Sequence, residues 1–374
     1  MLTILLLVIF AALVFEFING FHDTANSIAT VVATKVLSPG KAVMLAASMN
    51  LVGAFFGTAV AKTILSGLID TEVVQVTSQI ILCALMGGIT WNLITWWLGL
   101  PSSSSHALIG GLCGAALSAS NFNWHSLIWA QKSAEGWTHN KGILWKVVMP
   151  MVSSPIAGFL LGVLILAVLY ALIAGLAKLG GPLGRLARPR WVNGFFGKAQ
   201  LASAAYMGLA HGSNDTQKTM GIIALALFGA QSAGTLNDLP AWLAFLHPSS
   251  TSGEHIDSWI IGTCALVMAA GTATGGWRII KTLGHKMVKL QPIDGFAAET
   301  ASATILVTAA HFGMPVSTTH SISTAIMGVG FGKNPRALKI TVIERIIWAW
   351  ILTIPAAATV AYLLYKIVHA LGWA

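Results

Sequence analysis

The chain reads as an all-α integral membrane protein, with two inverted-topology repeats whose broken or re-entrant helices meet at a mid-membrane site. Three observations predict this. The first is composition: 56% of the 374 residues are hydrophobic and 9% are charged, against about 25% charged in a soluble domain. The second is internal repetition. Gly20-Phe21-His22-Asp23-Thr24-Ala25-Asn26 returns, altered, as Gly212-Ser213-Asn214-Asp215-Thr216-Gln217-Lys218, and Pro101-Ser102-Ser103-Ser104-Ser105-His106 returns as Pro315-Val316-Ser317-Thr318-Thr319-His320. The order is the same in both halves. The third is that loops at matched positions carry opposite charge bias.

The apolar runs are long enough to cross a hydrocarbon core of ~30 Å, which takes ~20 helical residues. They lack the alternating pattern of ~10-residue barrel strands, and the 38 glycines suit close helix packing in lipid. A net charge of +9 suggests nucleic acid in a soluble protein. Here Lys and Arg cluster in short loops, so the charge reports topology and no nucleic-acid partner is expected. Cys83, Cys113 and Cys264 lie in apolar stretches and no C-x-x-C occurs, which indicates neither a disulfide framework nor a thiolate metal site. No Lys or Arg precedes Lys35, so the first apolar segment reads as a retained helix.

Taken in order, Leu2 to Ile18 is the first apolar run, with Glu16 near its end. The first aspartate motif is expected to interrupt it, and a short run continues to Val36. Ala42 to Ala61 reads as a span, as does Ile80 to Leu98. Gly99-Leu100-Pro101 breaks the latter, and the serine run opens a short segment from His106 to Leu117. Asn121 to Lys146, with Glu135, Trp137 and His139, reads as a loop with an interfacial piece. Val147 to Leu176 is one long helix. Lys178 to Lys198 holds five basic residues and no acid, and reads as a basic cytoplasmic linker. The second half gives a run to Gly229, an acidic loop from Gln231 to Asp257 that includes Glu254, and spans at Trp259–Trp277, Ile293–Phe312 and Ile346–Val368. Gly313-Met314-Pro315 breaks the second of these before the second hydroxyl motif.

The turn after the first aspartate motif is basic, and its partner after the second is acidic. The loop before Ile80 is acidic, and its partner after Trp277 is basic. Two copies inserted in opposite orientation give this pattern, which is common in secondary transporters. The expected division is residues 1–177 for the first transmembrane repeat, 178–198 for the linker and 199–374 for the second repeat. The protein is expected to be multi-pass in the plasma (inner) membrane with both termini outside.

A charge at mid-membrane costs at least ~2.5–3.5 kcal/mol, so Asp23, Asp215 and Lys218 should face a cavity or each other. A structural Asp215–Lys218 pair at i,i+3 is the plain reading, but Asn26 stands where the second copy has Lys218. Ser103, Ser104, Ser105, Ser317, Thr318 and Thr319 follow a proline, as helix-opening residues do. Their hydroxyls and the free N–H groups of a helix start make a donor-rich cradle for a tetrahedral oxyanion. Aspartates beside an anion imply a travelling cation or proton: Na⁺, H⁺, or Mg²⁺ or another divalent ion bound to phosphate, with Asp23 and Asp215 as transient ligands and no fixed metal or cofactor. Lys218 can replace one bound cation, which favours H⁺. Glu16, His22, Thr24, His211, Asn214, Thr216 and Glu299 are the further coupling or cation candidates, the histidines because they titrate near neutrality.

With these residues in view, Asn19 to Asn26, Pro101 to His106, His211 to Lys218 and Pro315 to His320, the chain resembles the inorganic phosphate transporter family usually called Pit, in its bacterial low-affinity, proton-coupled form. The family pattern is G-x-N-D-x-A-N in both halves. This chain departs from it at His22 and at Gln217-Lys218. The resemblance implies a non-enzymatic symporter in a lipid bilayer, with inorganic phosphate held between the aspartate and hydroxyl motifs, carried with a divalent ion, and a homodimeric assembly. Two alternatives stay open on sequence alone: a Na⁺-coupled phosphate or sulfate carrier on the same plan, and an intramembrane phosphatase with a serine nucleophile and histidine base.

Overall fold

A computed structural model describes residues 2–66, 68–134, 136, 140–249 and 255–372. Glu135, Trp137, His139 and Glu254 lie outside them. The fold is helical throughout: among the described residues, extended pairing is limited to two isolated bridges, Ile69 with Leu127 and Gln131 with Lys141. The first half holds α1 (Leu2–Ala33), α2 (Pro39–Gly53), α3 (Ala59–Ser66), α4 (Ser78–Leu98), α5 (Ser104–Ala119) and α6 (Met149–Leu179). A short α7 (Gly181–Leu186) leads to α8 (Pro189–Ser232), α9 (Ser258–Thr274), α10 (Trp277–Lys281), α11 (Pro292–His311), α12 (Thr318–Lys333) and α13 (Ile340–Ala370).

Among the described residues four helices, α1, α4, α6 with its leading turn, and α13, are long and apolar enough to cross a membrane, and α9 with α10 makes a bent fifth, kinked by 58°. Large apolar side chains stay exposed along α6 and α13, among them Leu160, Leu164, Leu172, Ile351 and Leu363. Such a surface is favourable in lipid and a liability in water. The protein is an integral membrane protein.

Helix starts and stops follow local chemistry. Thr77 caps α4 by accepting from the Ile80 N–H (3.4 Å), and Gly99, at φ 65°, ends it in the left-handed conformation that favours glycine. Pro101 then forbids continuation, and Ser103 caps α5 by accepting from the His106 N–H (3.2 Å). The second half repeats the device: α11 ends near Gly313 (φ 62°), Pro315 follows, and Ser317 caps α12 by accepting from the His320 N–H (3.1 Å). Both hydroxyl motifs therefore open helices in the interior, as the sequence predicts.

The packing maps onto itself when α1 exchanges with α8, α2 with α9, α3 with α10, α4 with α11, α5 with α12 and α6 with α13. Thus α1 packs on α9 and α8 on α2; α5 packs on α13 and α12 on α6; α4 packs on α5 and α11 on α12. Glycines make the closest approaches reciprocal. Gly20 lies against the Met268 carbonyl and Gly212 against that of Asn50. Gly53 meets Leu209, and Gly271 meets Phe17. A Cβ at any of these four would collide with backbone.

Four expectations about element limits change. The run from Trp259 to Trp277 is not one unbroken span, since α9 ends at Thr274 and α10 starts, bent away, at Trp277. The aspartate motifs do not interrupt their helices: α1 and α8 run through them unbroken, because neither motif contains proline and each motif side chain finds its place without disturbing the backbone ladder. Ala42 to Ala61 is not one span, since α2 stops at Gly53 and α3 starts at Ala59. Most of Lys178 to Lys198 is helical, with α8 starting at Pro189.

Candidate functional site

The five ionisable side chains Glu16, Asp23, Asp215, Lys218 and Glu299 are all at most 2% exposed. Asp23 and Asp215 lie where α1 and α8 meet the N-termini of α5 and α12. Ser104 donates to Asp23 Oδ2 (3.3 Å) and Thr319 to Asp23 Oδ1 (3.5 Å). Thr318 donates to Asp215 Oδ2 (2.9 Å). The second hydroxyl motif therefore reaches the opposite half as well as its own: Thr319 lies far down the chain from Asp23, yet the two side chains touch.

The polar residue three places past each aspartate takes a different part in each half. Asn26 donates from Nδ2 to the hydroxyls of Thr318 (3.2 Å) and Thr319 (3.0 Å). Lys218 donates to Asp215 Oδ1, to the Ser105 hydroxyl and to the Val316 carbonyl (3.1 Å). The ion pair read from the i,i+3 spacing is present, and its lysine also touches the first half's hydroxyl motif. Lys218 is thus the only full positive charge among these described contacts, beside two aspartates.

The histidines orient the carboxylates. His22 Nδ1 lies 2.7 Å from Asp23 Oδ1, and its Nε2 lies 3.2 Å from Thr95 Oγ1, which in turn lies 2.7 Å from Ser102 Oγ. His211 Nε2 stands 3.2 Å from Asp215 Oδ2, and its Nδ1 lies 3.1 Å from Asn50 Oδ1. Thr95, Asn50 and Thr272, which receives the Asn50 amide (2.8 Å), carry no motif and escape a sequence reading; only their polarity inside apolar runs marks them. Asp23, His211 and Asp215 each present one ligand atom, all within 4.8 Å of one another. Two carboxylates and an imidazole suit a small cation.

The other candidates divide. Thr24 turns back to the Gly20 carbonyl (2.7 Å) and the Thr272 carbonyl (3.3 Å), a packing role. Asn214 and Thr216 are buried and their polar side-chain atoms have no hydrogen-bond partner. Glu299 lies away from the aspartates, accepting from Thr30, Ser203 and Gln200 (3.2 Å). Glu16 accepts from Thr219. His106 and His320 pack edge to face with centroids 4.8 Å apart, and His320 stacks on Trp350 at 4.0 Å.

Gln217, which stands where the first motif has Ala25, has a structural part of its own. Its Oε1 accepts from the Val60 N–H (2.8 Å), while Nε2 donates to the carbonyls of Ser213 (2.6 Å) and Phe56 (3.4 Å). It thereby satisfies backbone groups freed where α2 breaks from α3.

Ser104 donates to a carboxylate and Ser105 to the Val316 carbonyl (3.5 Å). Among the described residues neither has a histidine as hydrogen-bond partner.

Comparison with known proteins agrees with this architecture. A model described as the phosphate transporter family matches residues 19–361. A Mycobacterium tuberculosis protein named probable low-affinity inorganic phosphate transporter is 40% identical over 99% of this chain and 79% of its own length. Proteins of that name from Bacillus subtilis and Rhizobium meliloti are 39% and 42% identical, over 99% and 95% of this chain and 98% and 93% of their own. A solved structure titled "The sodium-dependent phosphate transporter" superposes with a TM-score of 0.78 at 23% identity, covering 98% of this chain and 99% of that one, which establishes a shared fold. With a family match spanning both aspartate motifs and both capped hydroxyl helices, the chain belongs to the phosphate transporter family, a family of transporters and not of enzymes.

Proposed function

We propose that the protein carries inorganic phosphate across the plasma (inner) membrane as a symporter driven by H⁺. The observation that carries this reading is the junction of two helix N-termini with two aspartates and one lysine. Helix starts favour an anion, and Ser104, Ser105, Thr318 and Thr319 with Asn26 and Lys218 supply donors from several directions. Ser103 and Ser317 hold the helix starts in place by capping them. On binding, phosphate takes over the donors that now satisfy Asp23 and Asp215.

The cation cluster of Asp23, His211 and Asp215 supports travel of phosphate with a divalent ion as one neutral cargo. Lys218, already paired with Asp215, supplies a fixed charge where a Na⁺-coupled carrier needs a second mobile cation, which favours H⁺. The same cluster favours the second reading, Na⁺ coupling.

Two repeats, 1–177 and 199–374 joined by residues 178–198, fit the reciprocal packing. Opposite orientation fits the contacts between α1 and α8: Glu16 meets Thr219, whereas Thr30 shares Glu299 with Ser203, so one helix rises as the other falls. Alternating access then rocks one part of the bundle about a fixed site. The basic linker faces the cytoplasm with both termini outside, and the apolar faces of α6 and α13 meet lipid and a second copy in a homodimer.

The test is phosphate uptake into proteoliposomes under an imposed pH or Na⁺ gradient, with sulfate as competitor. Accumulation that follows ΔpH and resists sulfate is expected. Accumulation that follows Na⁺ alone sinks the proton reading, and full competition by sulfate sinks the assignment of the anion.

A further inference from the structure

Glu16 lies two helical turns before Asp23 on α1, about 10 Å along the axis, outside the phosphate contacts. It is 0% exposed. One carboxyl oxygen accepts from Thr219, Oε1 has no partner at hydrogen-bond distance, and the Asn19 side chain, one turn on along α1, is near enough to interact only weakly. The titratable groups facing it are Asp215 and Lys218 of α8 and Cys264 of α9. Of the other helices on α1, α4 holds no acid or base and only Cys83 as a titratable side chain, and α2 holds only the exposed Lys41 in its first turn. Also packed on α1 are α10 with Arg278 and Lys281, α11 with Asp294, Glu299 and His311, and α12 with His320 and Lys333, but none of these groups is among those acting on Glu16.

Glu299 gives the contrast. It is equally buried, but both of its oxygens accept, from Thr30 and Gln200 on one side and Ser203 on the other. Three donors lower the cost of charging a buried carboxyl. One close donor, Thr219, with Asn19 only weakly placed and Oε1 without a hydrogen bond, suits the neutral acid, because a buried charge with few donors is costly. Among the described residues no ion pair requires an acid at position 16, and a glutamine would serve Thr219 equally well.

We propose that Glu16 is a proton-binding site of the transport cycle, distinct from the phosphate site. In the closed bundle it holds the coupled proton as a carboxylic acid. When the bundle opens and water reaches it, the O–H bond breaks, the proton passes to water, and the carboxylate remains until a proton from the opposite side restores it. The link to cargo runs through α8: Thr219, the partner of Glu16, directly follows Lys218, whose ammonium is shared by Asp215 and Ser105 and is drawn off by an arriving phosphate. This inference rests on the proton-coupled reading.

The test uses the full-length protein in proteoliposomes, with inorganic phosphate as probe. Glu16→Gln should lose accumulation driven by ΔpH while keeping phosphate–phosphate exchange, which moves no net proton. Glu16→Asp should regain part of the accumulation. Glu16→Gln that still accumulates phosphate on ΔpH overturns the proposal. Loss of exchange together with accumulation in both variants also overturns it, since the side chain then serves the fold or the phosphate site. Failure of the proton-coupled reading shows separately, in wild-type protein that ignores ΔpH.

Discussion

Lys218 and Asp215, three residues apart on α8, form an ion pair with both side chains at most 3% exposed. Removing one member of a buried pair leaves an uncompensated charge and costs about 3–5 kcal/mol. Lys218→Asn should therefore lower the unfolding temperature in detergent markedly, and Asp215→Asn in the same chain should recover much of the loss. With the fixed charge gone, the ion requirement of phosphate uptake should change. An unchanged requirement would falsify the role of Lys218 as a substitute for a mobile cation.

Gly53 and Gly271 face backbone carbonyls of Leu209 and Phe17 at matching places in the two halves. Alanine at either position forces α2 off α8 or α9 off α1, and overpacking of this kind costs about 1–3 kcal/mol. Gly175 on α6 has open space around it, so Gly175→Ala is the control. Thermal unfolding should fall for both reciprocal variants and hold or rise for the control.

Ser103 and Ser317 each cap a helix that opens into the site. Ser103→Ala and Ser317→Ala should each cost about 1 kcal/mol of stability and, on the proposed phosphate site, raise the KM for phosphate, because the helix start frays there. Threonine at either position keeps the oxygen and should restore both values. A KM that stays put in the alanine variants would separate the caps from binding.

Gln217 bonds the Val60 N–H across the break between α2 and α3. Gln217→Ala, which reproduces the residue of the first motif, leaves that donor buried without a partner, at about 1–3 kcal/mol. Faster hydrogen exchange at residues 54–62 is the expected signature; unaltered exchange there would show that the break is held by other contacts.

Much of the candidate site is legible in the sequence. Asp23, Asp215, Lys218 and the two hydroxyl runs stand out because polar and charged groups inside an apolar run carry a cost, and duplication marks them twice. The helix breaks at Gly99-Leu100-Pro101 and Gly313-Met314-Pro315 are equally legible, since left-handed glycine followed by proline ends a helix by local chemistry alone. The break after Gly53 is not. No proline marks it, and what allows it is Gln217, far away in the chain. Nor is the continuity of α1 through Asp23 visible, because a polar motif inside a helix and a polar motif that ends one look alike without their partners.

By itself the sequence determined the class of protein, the paired motifs, the two capped helix starts and the opposite charge bias of matched loops, all of which rest on local composition and spacing. Only the tertiary structure decided which residues meet. It set Thr319 against Asp23 and Lys218 against Ser105, gave Glu299 three donors and left Glu16 with one close donor. Those contacts join residues up to about three hundred positions apart. They follow from how α1 and α8 pack between the helices of the opposite half, which no local pattern encodes.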